Sequence, residues 1–115
     1  MPLEKIFVGV LVVNGTTQGE RLPPVTARLN FLGYFDVRGV VGAVPADETV
    51  IYFAEGLEDE ASVVAGDLGY ERGTATLLPL AEAPPVAGVG TAQVMVYLGP
   101  DDLPYAIAEQ AADEG

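Results

Sequence analysis

A continuous apolar run near the start of the chain, Ile6-Phe7-Val8-Gly9-Val10-Leu11-Val12-Val13, constrains the fold more than any other feature. It is β-branched and too short for a typical helix. A strand buried on both faces reads this way, whereas a half-exposed strand alternates. It also falls well short of the ~20 residues that a membrane helix needs. Glu4 and Lys5 precede it and no small-residue cleavage site follows, so it does not read as a secretory signal. A strand hidden on both sides must lie inside a sheet that is covered in layers. With 115 residues, half of them apolar, the chain supplies one such core, and the whole of 1–115 reads as a single domain.

The rest of the chain alternates between two periods. Asn14-Gly15 turns the chain after the first strand. Leu22, Val25, Leu29 and Leu32 form one helical stripe over about Gly19–Leu32; Pro23 and Pro24 lie near its start and Gly33 at its end. Phe35–Ala43 alternates as a strand, weakened by Gly39 and Gly42, which suits an edge. Thr49–Phe53 is the second strongly apolar strand. Leu57, Ala61, Val64 and Leu68 mark a second helix, with Glu58, Asp59 and Glu60 in its first turn and Gly69 after it. Thr74–Leu78 reads as a short strand limited by Pro79. Ala81–Gly90 reads as an exposed loop and Gln93–Leu98 as a last strand. Leu103–Ala112 reads as a short tail helix after Asp102, within a terminus (103–115) that frays at its end.

The order strand, helix, strand, strand, helix, strand, strand predicts a two-layer α/β (α+β) sandwich. It matches a ferredoxin-like split βαβ plan (βαββαββ) with an extra C-terminal strand. In that plan the first and third strands lie side by side at the centre, and the glycine- and proline-bearing strands form the edges. Both long helices then cover one face. The other face needs the tail helix, the Pro/Ala loop or a partner; left open, it would be a partner site or a homodimer surface.

Composition narrows the chemistry. There is no histidine and no cysteine, which removes Ser-His-Asp and Cys-His catalysis, His/Cys zinc sites, thiol redox chemistry and disulfides. Five basic against seventeen acidic residues give a net charge of −12, which disfavours nucleic acid. No nucleotide-binding glycine motif occurs. The residues therefore point to no catalytic group, no metal and no cofactor. Two binding features stand out. Asn14, Gly15 and Thr16 lie between a central strand and a helix, where backbone N–H groups and the Thr16 or Thr17 hydroxyl would hold a small anion or a sugar oxygen; turn chemistry selects the same residues. Arg21 and Arg28 are seven apart on one helix face and would contact phosphate or carboxylate, unless they are a solvated face paired with acids such as Glu20. Asp101 and Asp102 supply too few oxygens for a hard cation, and N-capping by Asp102 is simpler. Glu55, Glu58, Asp59 and Glu60 read as a solvated run at a helix start.

Four ordered pieces resemble the LytR C-terminal domain family of bacterial cell-envelope proteins. They are the strand into Val12-Val13-Asn14-Gly15-Thr16; the helix end Leu29–Leu32 with Gly33-Tyr34; Thr49–Phe53 followed by the acidic helix to Leu68-Gly69; and Val94–Leu98 into Gly99-Pro100-Asp101. The match spans about Ile6–Asp102. Glu20-Arg21-Leu22-Pro23-Pro24 departs from the family's small-residue helix entry. The resemblance implies a non-enzymatic accessory module of the cell envelope, because the family's catalytic residues belong to a LytR-CpsA-Psr phosphotransferase domain not seen here. It implies a protein partner or envelope glycopolymer as target, and an extracytoplasmic location with any membrane anchoring supplied by a segment outside this chain. A chain complete as given would instead be cytoplasmic, which fits the alternative of a small oligomerising or ligand-sensing α/β domain.

Overall fold

The computed structural model describes residues 8–16, 22–34, 36–42, 44–71, 75–83 and 92–99. Among these residues five strands form one mixed sheet and two helices lie on one of its faces. In chain order the elements are β1 (Gly9–Asn14), α1 (Leu22–Phe31), β2 (Asp36–Val41), β3 (Val50–Phe53), α2 (Glu58–Asp67), β4 (Leu77–Pro79) and β5 (Val94–Leu98). A short 3-10 turn, Leu80–Glu82, follows β4. The tail helix expected over Leu103–Ala112 lies outside the described residues. No helix among the described residues is long and apolar enough to cross a membrane.

The fold class is the expected α+β sandwich, but the connectivity is not the ferredoxin-like one. The strand order is β2-β1-β5-β3-β4, so β5 separates β1 from β3. β1 pairs in parallel with β2 and with β5, β3 pairs in parallel with β4, and only β5 with β3 is antiparallel. The sheet therefore contains two ordinary βαβ units, β1-α1-β2 and β3-α2-β4, running in opposite directions. Crossovers of the same right hand on oppositely directed strands put both helices on the same face. The physical reason for the difference lies in β5. All five of its residues are buried, as are all six of β1. A strand apolar on both faces loses burial at a sheet margin, so β5 belongs beside β1. The margins go to β2, with exposed Asp36 and Arg38, and to the three-residue β4 ending in Pro79. Charge and proline both discourage further pairing at an edge.

The sheet sorts its side chains by parity. Val10, Val12, Ile51, Val94, Val96 and Leu98 pack under Val25 and Leu29 of α1 and Ala61, Val64 and Ala65 of α2. Leu11, Val13, Tyr52, Met95 and Tyr97 face the other way and form a second cluster. That second face is not open: Leu11 and Val13 are fully buried within the chain, and Tyr97 is 2% exposed. Among the described residues Ala46, Leu80 and Ala83 help cover it. Of the covers expected for this face (the tail helix, the Pro/Ala loop or a partner), the chain itself supplies at least part, through residues that include Leu80 and Ala83.

The two βαβ units share the glycine caps expected at Gly33 and Gly69, each followed by a tyrosine. Leu32-Gly33-Tyr34 and Leu68-Gly69-Tyr70 end α1 and α2 alike. Gly33 and Gly69 take positive φ (109° and 93°), which an L side chain rarely adopts. The following Tyr34 and Tyr70 then donate their N–H groups to Leu29 and Ala65 carbonyls five residues back, at 3.1 and 3.0 Å. This closes the otherwise unsatisfied helix ends.

Candidate functional site

Three places take up the residues that chemistry would use. The first is the shared C-terminal end of β1, β2 and β5, where Asn14, Gly15 and Thr16 sit. The Asn14 side chain is buried, and its Oδ1 accepts from the Thr16 N–H (3.0 Å) and the Thr16 hydroxyl (2.6 Å). The Gly15 N–H donates to Leu98 O at 2.9 Å, and its carbonyl accepts from Ala46 N–H at 3.1 Å. A Cβ at Gly15 would lie 2.6 Å from Tyr97 Cε1 and 2.7 Å from Leu98 O. Among the described residues, the Gly15 and Thr16 donors that would cradle an anion are committed to the chain's own oxygens, and the space beside Gly15 is filled by Tyr97. Turn chemistry accounts for this corner.

The second place is the helix layer. Arg28 lies in the last turn of α1, and its Nε–H donates to the main-chain oxygen of Asp67, the last residue of α2, at 2.7 Å. A guanidinium there complements the negative end of α2. The Tyr34 hydroxyl donates to Asp67 Oδ2 at 2.7 Å. Arg28 and Tyr34 thus tie the two βαβ units together through one aspartate, rather than presenting a cationic face to a ligand. Arg21, the second arginine of the expected pair, lies outside the described residues, as do Thr17, Glu20, Asp101 and Asp102. In α2, Glu58 and Asp59 are exposed as expected, but Glu60 is buried at 6% exposure, which corrects its place in the solvated run. Among the described residues no group of three or more carboxylates is placed to hold a metal ion.

Burial, and after it the bond to Asp67 and that residue's charge, push the Tyr34 hydroxyl well above its usual 10.0. A folded-state value raised for a tyrosine means that the native state keeps its proton where the unfolded chain loses it. The stabilisation is complete below pH 10 and falls as pH climbs beyond it. Tyr34→Phe removes a hydrogen bond to a charged group and is expected to cost about 1.5–3 kcal/mol near neutral pH. In urea titrations repeated at rising pH, the variant should lose less additional stability above pH 10 than the parent. Equal alkaline slopes would contradict this.

The third place was not singled out from sequence. On the second face a hollow of about 250 Å³ is lined by Pro45, Ala46, Asp47, Glu48, Val50, Tyr52 and Tyr97. The tyrosine rings meet edge to face, with centroids 6.4 Å apart at 83°. The Tyr97 hydroxyl donates to Val44 O, which pins the loop after β2 onto the sheet. Asp47 and Glu48 are exposed beside it. Tyr52 and Tyr97 read in sequence as core positions of two strands, and only the strand order brings them together.

No protein-family model matches the chain, and no curated protein matches it in sequence. Among solved structures it is similar to the soluble domain of a conserved hypothetical secreted protein (Rv2700 ortholog) from Mycobacterium marinum. The TM-score is 0.60 at 20% identity, covering 87% of this chain. The chain spans 64% of the length of that one. At this identity the likeness is one of fold.

Proposed function

We propose that this chain is a non-enzymatic accessory domain of the bacterial cell envelope, of the LytR C-terminal type, that binds an envelope component. The observation that carries the reading is the fold shared with the soluble domain of a secreted protein over 87% of the chain. The four ordered motifs from Val12 to Asp101 point the same way, and so does an extracytoplasmic setting for the structural neighbour. Charge limits the target. At a net −12 the domain repels anionic glycopolymers at long range, and Arg28, the described arginine expected to meet them, is engaged with Asp67. The reading therefore favours a target that presents neutral or cationic groups.

The test is fractionation of a bacterium that encodes the protein, with an epitope tag, after cross-linking in the living cell. The tagged protein is expected in the envelope fraction, in an adduct with peptidoglycan or with an envelope protein. Recovery in the cytoplasmic fraction without an adduct would overturn the proposal.

A further inference from the structure

The two margins of the sheet are not equivalent. β4 is three residues long and ends in Pro79, which has no N–H to offer a further strand. β2 is six residues long and contains no proline. It pairs along its whole length with β1, and among the described residues no strand lies beyond it. The Gly42 N–H donates to Asn14 O of β1 at 3.0 Å, which fixes the parity of the strand. Successive residues turn their N–H and C=O groups to opposite sides, so Asp36, Arg38 and Val40 turn theirs toward β1 while Val37, Gly39 and Val41 turn theirs outward. Gly39 is exposed, and Val41 is 75% exposed. Asp36 and Arg38 project from one face: Arg38 Nε lies 4.0 Å from Asp36 Oδ1, and the side chains are 51% and 45% exposed. Charge also sets this margin apart. In a chain of net −12, α1 and β2 hold two arginines, Arg28 and Arg38, against a single acid, Asp36. Two copies of the chain repel each other over most of their surface and least along this edge.

We propose that β2 pairs with β2 of a second copy of this chain, antiparallel about a two-fold axis at Val37, which joins two sheets into one. A closed dimer needs a self-complementary edge, and two identical strands meet that condition when they run antiparallel. The charges select the register. With Val37 opposite Val37 of the second copy, the outward N–H and C=O groups of the two valines bond reciprocally. Asp36 of each copy then stands opposite Arg38 of the other, where opposite charges stabilise a cross-strand pair. An axis at Gly39 would pair more of the strand, but it sets Arg38 opposite Val40, diagonal to Arg38 of the second copy, and gives Asp36 no counter-charge. Parallel addition leaves an edge open and does not close. The charges that discourage pairing with an arbitrary strand thus become matched only when the strand is a second β2, which makes the edge selective rather than generally adhesive.

The experiment is sedimentation equilibrium of the whole chain at near-physiological ionic strength, and it does not depend on what the domain binds. A reversible monomer–dimer equilibrium is expected, with a Kd of about 10–100 μM, as suits a small interface. Asp36→Arg makes both positions basic, and Arg38→Asp makes both acidic. Each change sets like charges opposite one another twice, by symmetry, and should weaken self-association at least about tenfold. A one-to-one mixture of the two variants restores opposite charges at both places and should dimerise about as tightly as the parent. Both side chains are half exposed, so the folds should be kept, which circular dichroism checks. Where a reversal fails to fold, Asp36→Asn with Arg38→Gln removes both pairs without introducing a like charge and should still weaken the dimer. A parent that stays monomeric up to about 1 mM overturns the proposal. So do variants that associate like the parent, which would put the contact elsewhere, and a mixture of folded variants that stays monomeric.

Discussion

Leu11→Ala is expected to lower the free energy of unfolding by about 2–5 kcal/mol, a large share of the roughly 5–15 kcal/mol that holds a domain of this size together. Leu11 sits mid-strand in β1, between Arg38 of β2 and Met95 of β5 in register, and points away from both helices. Its side chain is fully buried in the single chain. Truncation removes the transfer free energy of the lost carbons and leaves a cavity that the rigid centre of the sheet cannot collapse. Were the second face open, the same change would stay within about 0.5 kcal/mol, the usual range for surface substitutions. Phe31→Ala is the internal control. Phe31 is the larger apolar side chain but is 88% exposed at the end of α1, so its loss should be nearly silent. Urea unfolding followed by far-ultraviolet circular dichroism separates the two. A Leu11→Ala midpoint close to that of Phe31→Ala would show that the second face is not sealed.

The contrast between Leu11 and Phe31 also shows how far the sequence reaches. The two helices and β1, β2, β3 and β5 fall close to where their hydrophobic period placed them, because burial on one side or two leaves a period that the backbone geometry dictates, whereas β4 runs over Leu77–Pro79 and takes in the proline expected to limit it. β2 and β4 are edges, as Gly39 and Pro79 implied, and β1 and β3 are interior. What the period does not carry is adjacency. Val94–Leu98 has the unbroken apolar pattern of Val10–Val13, and that likeness was the available sign that β5 lies at the centre beside β1. Reading β5 as an appendage to a four-stranded plan missed it. The site was less legible for the same reason. Arg28 looked like half of a cationic helix face, yet its partner is the C-terminus of α2, thirty-nine residues away in sequence. Tyr52 and Tyr97 read as ordinary strand aromatics. Their meeting, and the wall made by Asp47 and Glu48, depend on β5 lying next to β3, and no local spacing encodes that pairing.

Gly99→Ala is the second large effect, and it probes how the loop from Val44 to Thr49 is held against the sheet. Gly99 follows β5, and its φ lies outside the left-handed region, so the requirement for glycine there is one of space rather than of conformation. A Cβ at this position would lie 2.4 Å from the carbonyl carbon of Glu48, 2.6 Å from its Cα and 2.8 Å from its nitrogen. All three are backbone atoms, so no side-chain rotation relieves the contact and the loop itself must move. Movement stretches the 3.1 Å bond from the Gly99 N–H to Thr49 Oγ1, a buried hydroxyl. Overpacking costs about 1–3 kcal/mol and the lost hydrogen bond about 1 kcal/mol more, so a total of about 2–4 kcal/mol is expected. Thr49→Val removes the hydroxyl and leaves the space, and should cost only about 1 kcal/mol. Should Gly99→Ala unfold at the parental urea midpoint, the loop is not seated on the end of β5.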